Sequence, residues 1–496
     1  MVEDDLLEVG LAPSGAACHR RSLQAVKQGL GDGARQRGNT AEIFEGGCLL
    51  KRRLFFAVSL LLAGIAFGIE ARKTPELRIS VWYWLNSVEK KQWETDFKLA
   101  ADAGFTDMVL CWGLDSAAVS FQQENTRWAL SLCRKFGMRA YLLMWHPTHN
   151  SLPRKAEFQQ VDNRGNLLFT FNPFHRQWRS TQWKAYLQSV ANAYKDHPGL
   201  AGYLFDDTFS PGPIGTFEGE KNKVPGEFVS YSSYDFEQFR QWLRNKYQTL
   251  PKLREAWGND VRSWENIEPP KEITENNQKA WSDWCDARSQ WFEEWGADTV
   301  KFIREVDRSS DHEIYLEDGQ YVLGLEKQQS KNSFRPVTVR DTLGLRFGAV
   351  ASQFDAVCGY TTFRWEIPDA LAKALKTTRE TLESTRSMVG KQKKIIYTFW
   401  VTDADVNKPL PLKYPDAKQI IAVTRAALDL GIRHVDYYAF RIGDWRADEA
   451  EWKARRPGPN VDYVRTKPVP DRYLCDRPDL LKDLGVQLHQ LKAKYQ

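Results

Sequence analysis

Strand-like and helix-like segments alternate along this chain of 496 residues from Leu77 to its C-terminal end. Short runs rich in β-branched and aromatic residues predict strands, and longer amphipathic segments that end at glycine predict the helices between them. Such alternation is typical of parallel β/α units, because parallel strands need a crossover connection. The eight predicted strands are Arg78–Trp84, Asp107–Trp112, Arg139–Trp145, Leu200–Phe205, Glu313–Glu317, Ala356–Thr361, Lys394–Trp400 and His434–Phe440. The sequence therefore predicts an α/β fold, a single (β/α)8 TIM barrel.

A long insertion separates the fourth and fifth predicted strands. It spans about a hundred residues and contains predicted helices over Tyr234–Lys246 and Gln278–Val306. Further insertions follow the fifth and eighth strands. All three emerge from the C-terminal ends of strands, which is the end of a TIM barrel where active sites lie. We therefore expect a functional cleft at this end.

Two adjacent carboxylates end the fourth predicted strand. The apolar run Leu200–Phe205 suits a strand that is buried on both faces, and Asp206 and Asp207 follow it directly. Successive side chains of a strand point to opposite faces, so we expect one of the two to face the cleft. The other would cap a turn or pair with an arginine. Asp207 is the first candidate for a catalytic carboxylate.

Aromatic and polar side chains recur at the other strand ends. The candidates for substrate binding are Trp82, Trp84, Trp112, Trp145, His146, Arg364, Trp400 and Arg441, and the further carboxylate candidates are Glu317 and Asp403. The chain holds 19 Trp, 18 Tyr and 26 Phe. Indole rings can stack on the C–H faces of sugars, and a pair of carboxyl groups can cleave a glycosidic bond. This pattern favours a carbohydrate substrate.

Each of these candidates has a plainer interpretation. A tryptophan at a strand end can close the barrel core without contacting a ligand. Glu317 begins a Glu-Asp-Gly sequence that is also typical of a turn, and Asp403 lies in a segment typical of a solvated loop.

The composition of the chain argues against several classes of partner and cofactor. The net charge of +5 is small for this length and the basic residues form no long run, so we do not expect nucleic acid as a partner. The seven cysteines show no metal-like spacing, and His146 and His149 lie in a proline-containing loop, not on one helix face. We expect no metal, no other cofactor and no disulfide framework. The oligomeric state is not predicted.

The N-terminal region predicts export. Lys51-Arg52-Arg53 precedes the apolar run Leu54–Ile69, which is short for a membrane span and typical of a signal peptide. We therefore divide the chain into a non-native or disordered extension (1–48), a signal peptide (49–71) and the barrel (72–496). The expected location is secreted or periplasmic, without membrane insertion after cleavage; a retained membrane anchor is the alternative.

The insertion after the fourth strand carries a resemblance to a known family. Residues 236–250 read FEQFRQWLRNKYQTL and residues 253–258 read LREAWG, and Trp264 and a Pro-Pro pair at 269–270 follow. This pattern resembles the catalytic barrel of glycoside hydrolase family 42, the β-galactosidase family. The resemblance spans roughly Leu77 to Phe440 and implies a retaining glycosidase barrel.

The catalytic motifs depart from that family. Its acid/base is a glutamate in an Asn-Glu pair that ends the fourth strand, where this chain has Asp206 and Asp207. Its nucleophile is a glutamate that ends the seventh strand, where this chain ends in Trp400. Two pairings remain open: Asp207 with Glu317 on the fifth strand, which we favour slightly, or Asp207 with Asp403.

The sequence thus predicts an exported, β-galactosidase-like but divergent glycosidase that cleaves O-glycosidic bonds in an oligosaccharide or polysaccharide. A carbohydrate-binding barrel without catalysis is one alternative. A barrel hydrolase or lyase for another substrate class is the other, because this fold supports many chemistries.

Overall fold

The structure is a computed structural model of the chain. It describes residues 76–85, 90–111, 123–145, 155–206, 229–258, 261–317, 346–363, 365, 367–401, 414–441 and 473–495. The proposed extension and signal peptide (1–71) lie outside this part, and Lys73–Gln496 forms one compact unit. Among the described residues, no helix combines the length and the apolar composition needed to cross a membrane.

Ten strands and ten main helices make up the described part. The strands are β1 (Arg78–Trp84), β2 (Asp107–Cys111), β3 (Arg139–Trp145), β4 (Gln159–Val161), β5 (Leu167–Phe171), β6 (Leu200–Asp206), β7 (Glu313–Glu317), β8 (Ala356–Thr361), β9 (Lys394–Trp400) and β10 (His434–Arg441). The helices are α1 (Lys90–Asp102), α2 (Gln123–Lys135), α3 (Lys184–Tyr194), α4 (Ser233–Tyr247), α5 (Leu250–Trp257), α6 (Gln278–Arg304), α7 (Phe347–Ala351), α8 (Ala370–Val389), α9 (Ala417–Asp429) and α10 (Pro478–Tyr495). The hairpin β4–β5 is the one described strand pair that the sequence pattern did not predict.

Eight of these strands close into a barrel. The order around the ring is β1, β2, β3, β6, β7, β8, β9 and β10, and β10 pairs with β1 to close it. Every neighbouring pair in the ring is parallel. The predicted (β/α)8 TIM barrel with a long insertion after the fourth barrel strand, β6, is confirmed.

Side chains of the barrel strands alternate between the barrel interior and the helix layer. Trp82 and Tyr315 belong to the cluster that fills the interior, whereas Tyr83 and Phe205 pack outside the sheet against the helices. Both clusters consist of buried residues, and this alternation is the period-two pattern of any strand. Which of the two layers a charged residue occupies therefore depends on its strand parity.

A bulge in β6 sets the register at the end of that strand. Between Ala140 and Tyr141 of β3, the pairing with β6 skips one residue of β6. Gly202 follows the skipped residue with a φ of +148°, and an added Cβ would lie 1.9 Å from the carbonyl oxygen of Glu313. Only glycine tolerates this close approach of two backbones. Beyond it, Asp206 is level with Glu317.

The insertion contributes a helical layer beside the barrel. Helix α4 begins at a capping box in which Ser232 and Asp235 bond each other's backbone and side chain. Helix α5 follows directly, and both pack on the long helix α6, which includes the buried Trp284. This layer holds the segment on which the family resemblance depends.

Candidate active site

The candidate residues that the structure describes lie at the C-terminal ends of the barrel strands. The structure describes Trp82, Trp84, Glu317, Trp400 and Arg441 with their side chains, and it describes the backbone of Trp145 and Asp206. The candidates outside the described residues are Trp112, His146, Asp207, Arg364 and Asp403. Their parts in the site therefore stay predictions.

Backbone pairing aligns the strand-end carboxylates of β6 and β7. Asp206 is paired with Trp145 of β3 on one side and with Glu317 of β7 on the other. Neighbouring strands are about 4.8 Å apart, so the backbones of these two acidic residues are immediate neighbours. Asp206 lies two residues after Leu204, whose side chain faces the barrel interior.

Glu317 is a deeply placed carboxylate. Its exposed fraction is 2%, and it has the same strand parity as Tyr315, whose side chain fills the barrel interior. On the other side, Glu317 is paired in register with Cys358 of β8. Its side chain thus belongs to the barrel interior at the C-terminal end, which is where a catalytic carboxylate of this fold is found.

An aromatic surface lies at the ends of β8, β9 and β10, the three strands that follow β7 around the ring. Trp400 stacks on Tyr438 with ring centres 4.9 Å apart, and its indole N–H donates to the hydroxyl of Tyr360. These three side chains are half-buried. Trp82 meets Tyr438 edge-on at 5.3 Å but is 1% exposed. The partly exposed rings offer an apolar face of the kind that sugars bind.

The two tryptophans of β1 form the floor of this region. Trp82 and Trp84 both face the barrel interior and are 1% and 4% exposed. In this structure they close the top of the core, which was the plainer of the two interpretations.

Arg441 does not face the barrel interior. Its guanidinium binds the buried carboxylate of Asp96 on α1, with the Nε–Oδ2 distance at 2.6 Å, and Tyr83 donates to the same carboxylate. The distance from Nη1 of Arg441 to Oδ1 of Asp476 is 3.5 Å. This ion pair lies between the sheet and the helices. The expectation that Arg441 binds substrate is therefore corrected: the arginine anchors β10 to α1.

A buried polar network lies beneath Glu317. Asp436 on β10 accepts hydrogen bonds from the hydroxyls of Tyr315, at 3.1 Å, and Thr398, at 3.3 Å. The thiol of Cys358 donates to Thr398 at 2.9 Å, and Nε2 of His434 lies 3.0 Å from Asp436. Burial raises the pKa of the Cys358 thiol well above its usual range, and the nearby carboxylates raise it further. The thiol is thus a proton donor here.

Sequence reasoning did not single out Tyr360, Tyr438, His434 or Asp436 as functional residues. Each lies on a predicted strand, but none is at the residue that ends it. The alternation of side chains along a strand was the signal that could have identified them. His434, Asp436 and Tyr438 are spaced two residues apart on β10, so their side chains lie on the same face of the sheet. Within the described ranges, His, Cys, Asp and Glu side chains form no group of three that could hold a metal ion.

Part of the chain is similar in sequence to known β-galactosidases. A family model described as β-galactosidase, glycoside hydrolase family 42, matches residues 141–311. The matched segment includes β6 and the insertion helices and ends before Glu317. Among curated proteins, β-galactosidase Bga of Halorubrum lacusprofundi is 25% identical over 209 residues, covering 39% of this chain and 28% of that protein. β-Galactosidase BgaH of Haloferax lucentense is 25% identical over 214 residues, covering 39% and 30%.

Solved structures share the fold. The β-galactosidase of the psychrophilic Marinomonas ef1 has a TM-score of 0.56 at 17% identity, covering 84% of this chain and 60% of that one. The β-galactosidase of Bacillus circulans sp. alkalophilus has a TM-score of 0.57 at 15% identity, covering 86% and 57%. The chain thus matches less than a third of the curated relatives and less than two thirds of these structures. It is a divergent relative of the glycoside hydrolase family 42 β-galactosidase barrels.

Proposed function

We propose that this chain is a glycoside hydrolase that cleaves an O-glycosidic bond with Glu317 and an aspartate of the Asp206-Asp207 pair. The observation that carries the proposal is the register of β6 and β7, which makes Asp206 and Glu317 backbone neighbours at the C-terminal end of the barrel. Glycosidic cleavage needs two carboxyl groups, one as acid and one as base or nucleophile. The half-buried surface of Trp400, Tyr438 and Tyr360 supports a sugar as substrate.

The two open pairings use different strands. Asp207 with Glu317 joins the fourth and fifth barrel strands, and Asp207 with Asp403 would join the fourth and seventh. Trp400, which ends the seventh barrel strand, β9, occupies the strand end where the resembled family carries its nucleophile. A tryptophan supplies no carboxyl group, so we favour Glu317 as the partner.

Hydrolysis of a panel of α- and β-linked nitrophenyl glycosides, with β-galactosides first, tests this function. Asp206→Asn, Asp207→Asn, Glu317→Gln and Asp403→Asn are compared with wild-type protein. We expect Glu317→Gln to lower kcat/KM by about 100-fold or more, because general acid–base catalysis alone contributes roughly 10²–10⁴-fold. The same loss in one of Asp206→Asn and Asp207→Asn identifies the second carboxylate.

Glu313→Gln is the matched control. Glu313 lies on the same strand at the opposite end of the barrel, where it binds Lys394 at 2.6 Å and accepts the hydroxyl of Tyr141. Both variants exchange one glutamate of β7 for glutamine, but Glu313 is half-buried and only Glu317 lies at the candidate site. A folded Glu317→Gln protein as active as Glu313→Gln would contradict the role of Glu317, and a loss in Asp403→Asn would then favour the other pairing.

The seventh barrel strand, β9, ends in Trp400 and not in a carboxylate. This favours a second candidate function, carbohydrate binding without catalysis. Tight sugar binding that Trp400→Ala abolishes, together with no turnover by wild-type protein on oligosaccharides of the same sugar, would favour this alternative.

We further propose that the mature protein is exported, on the basis of the basic and apolar sequence of residues 51–69. N-terminal sequencing of protein recovered outside the cytoplasm is expected to begin near Arg72. Recovery of protein that still carries residues 54–69 from the membrane fraction would instead support an anchor.

A further inference from the structure

Residues 473–477 lie at the C-terminal end of the barrel, between β10 and α10 in the chain. A turn of 3₁₀ helix over Leu474–Asp476 contacts β10. Nη1 of Arg441, the last residue of β10, is 3.5 Å from Oδ1 of Asp476. This segment is therefore adjacent to the end of the barrel at which the candidate active site lies.

Successive residues of this segment pack on opposite sides of the barrel wall. Tyr473 packs against the cluster that fills the barrel interior. Leu474 belongs instead to the cluster between the sheet and the helices, where it is 1% exposed. The segment thus crosses the rim of the barrel, and Tyr473 is on its inner side.

Tyr473 combines contact with the interior and partial exposure. Among the described residues, Tyr438 and Tyr473 are the partly buried hydrophobic side chains that pack against the interior cluster. Tyr438 belongs to the aromatic surface with Trp400. A tyrosine that is half-buried on a core offers an apolar ring with a polar end. Tyr473 therefore extends the aromatic lining of the site with a residue that no strand supplies.

Contacts within and around the segment hold Tyr473 in this place. Its backbone N–H donates to Oδ2 of Asp476 at 3.4 Å, and its carbonyl accepts the backbone N–H of Asp476 at 3.1 Å. Arg477 donates to the carbonyl of Pro415 at 3.1 Å. With the buried Leu474, these contacts give the segment several anchors. Tyr473 is thus positioned before a substrate arrives, which lowers the entropic cost of binding.

We propose that Tyr473 is a substrate-contacting residue whose ring packs against the sugar at the active site. The proposal rests on the proposed function, since it adds a binding residue to the same site. The C–H faces of a sugar pack on an aromatic ring, so the ring carries the contact and the hydroxyl is dispensable. Tyr473 then contributes to binding of the ground state and the transition state alike, and not to the proton transfers that the carboxylates perform.

Steady-state kinetics on the nitrophenyl glycosides tests the proposal, with Tyr473→Ala, Tyr473→Leu and Tyr473→Phe compared with wild-type protein. We expect Tyr473→Ala to raise KM by about 5- to 10-fold, as loss of one aromatic contact should, and to leave kcat within about twofold. Tyr473→Leu keeps apolar bulk against the interior cluster but loses the ring, so it should raise KM as well. Tyr473→Phe keeps the ring and should behave as wild-type protein does.

Tyr495→Ala is the matched control. Tyr495 is also half-buried, but it lies at the end of α10, where its hydroxyl donates to Asp429 at 2.5 Å. Its ring contacts Arg433, which precedes β10 at the N-terminal end of the barrel. The substitution removes an equivalent ring at the opposite end of the barrel from the candidate site, so KM should be unchanged.

The comparison of the two tyrosines decides the proposal. A KM of Tyr473→Ala within about twofold of the wild-type value, or the same rise in the control, overturns it, because a substrate contact raises KM only where the substrate binds. If Tyr473→Ala does not fold, the KM of Tyr473→Leu decides.

Binding measurements separate this proposal from the proposed function. Isothermal titration with galactose and the other parent sugars of the panel gives their dissociation constants without turnover. Sugar binding that Tyr473→Ala weakens, in a protein that hydrolyses no glycoside, supports the role of Tyr473 and refutes the function. Hydrolysis that depends on Glu317, with KM and sugar binding unaffected by Tyr473→Ala, does the reverse. A wild-type protein that neither binds nor hydrolyses any of these sugars overturns both.

Discussion

At the scale of single residues, the face of the sheet on which a side chain lies decides what a charged side chain at a strand end can do. Arg441 and Tyr438 lie three residues apart on β10, yet Tyr438 packs on the interior cluster and Arg441 binds Asp96 outside the sheet. The sequence analysis assigned every aromatic and basic candidate at a strand end to substrate binding. The structure separates residues that can contact a substrate from residues that anchor the barrel wall.

Replacing Arg441 tests this assignment. Arg441→Met leaves the carboxylate of Asp96 buried without its cation, so we expect a loss of about 3 kcal/mol in the free energy of unfolding. The anchoring role predicts that KM changes by less than about twofold. Chemical denaturation and steady-state kinetics measure the two quantities.

Trp400→Ala provides the contrast. It removes a half-buried ring of the candidate site and should raise KM while leaving the ion pair intact. An Arg441→Met protein of normal stability with a strongly raised KM would restore the binding role that the sequence suggested.

At the scale of elements, one buried aspartate holds the insertion helices together. The side chain of Asp283 on α6 is fully buried and accepts from Tyr247 at 2.7 Å and from Trp257 at 2.8 Å. Lys246 and Lys279 donate to its other oxygen at 2.8 and 2.9 Å. Three of these donors belong to the segment that resembles family 42. The segment that most resembles family 42 therefore has a structural role, because its side chains join α4 and α5 to α6.

Removing this carboxylate should loosen the helical layer. Burial alone would raise the pKa of Asp283, but the bonds from Lys246, Trp257, Tyr247 and Lys279 outweigh it, and the pKa lies below its ordinary value. We expect Asp283→Ala to lower the free energy of unfolding by about 2–3 kcal/mol at neutral pH, because hydrogen bonds to a charged group are lost.

The pH dependence of this loss has a definite sign. An aspartate whose pKa is lower in the folded than in the unfolded protein stabilises the fold fully at a pH above its unfolded pKa of about 3.9. This stabilisation is lost as the pH falls through the pKa of the folded state. The difference between wild-type and Asp283→Ala should therefore be full at neutral pH and shrink in acid. Asp286→Ala, which loses a looser and more exposed contact with Lys246, should cost less than about 1 kcal/mol. Equal losses in the two variants would contradict the central role of Asp283.

At the scale of the whole molecule, barrel closure joins distant parts of the chain. The pairing of β1 with β10 brings residues near 80 and 436 together, and α10 covers α9 near the C-terminal end. All of these elements lie within Lys73–Gln496, which forms a compact unit.

Protein that begins at Lys73 should therefore fold as the full chain does. We expect the two thermal midpoints to agree within about 2 °C, a difference of less than roughly 1 kcal/mol for a domain of this size. Differential scanning calorimetry of both proteins measures this. A clearly lower midpoint for the shorter protein would mean that residues 1–72 contribute to the folded barrel.

The sequence by itself determined the eight barrel strands and their parallel arrangement. These follow from local patterns, namely apolar runs, amphipathic helices and glycine stops, and from the handful of ways in which such units close. The family resemblance was equally visible, because it depends on a continuous segment.

Only the tertiary structure decided which side chains act together. The register of β6 on β7 aligns Asp206 with Glu317, and the bulge beside Gly202 sets the pairing of β6 with β3. Arg441 binds Asp96 outside the sheet, whereas Asp436 bonds Tyr315 inside the barrel. Register and parity change with a single inserted residue, and a strand sequence alone does not show where that residue is absorbed. The hydrogen-bond partners of a buried polar side chain are likewise distant in sequence, so the network around Asp436 forms only when the barrel closes.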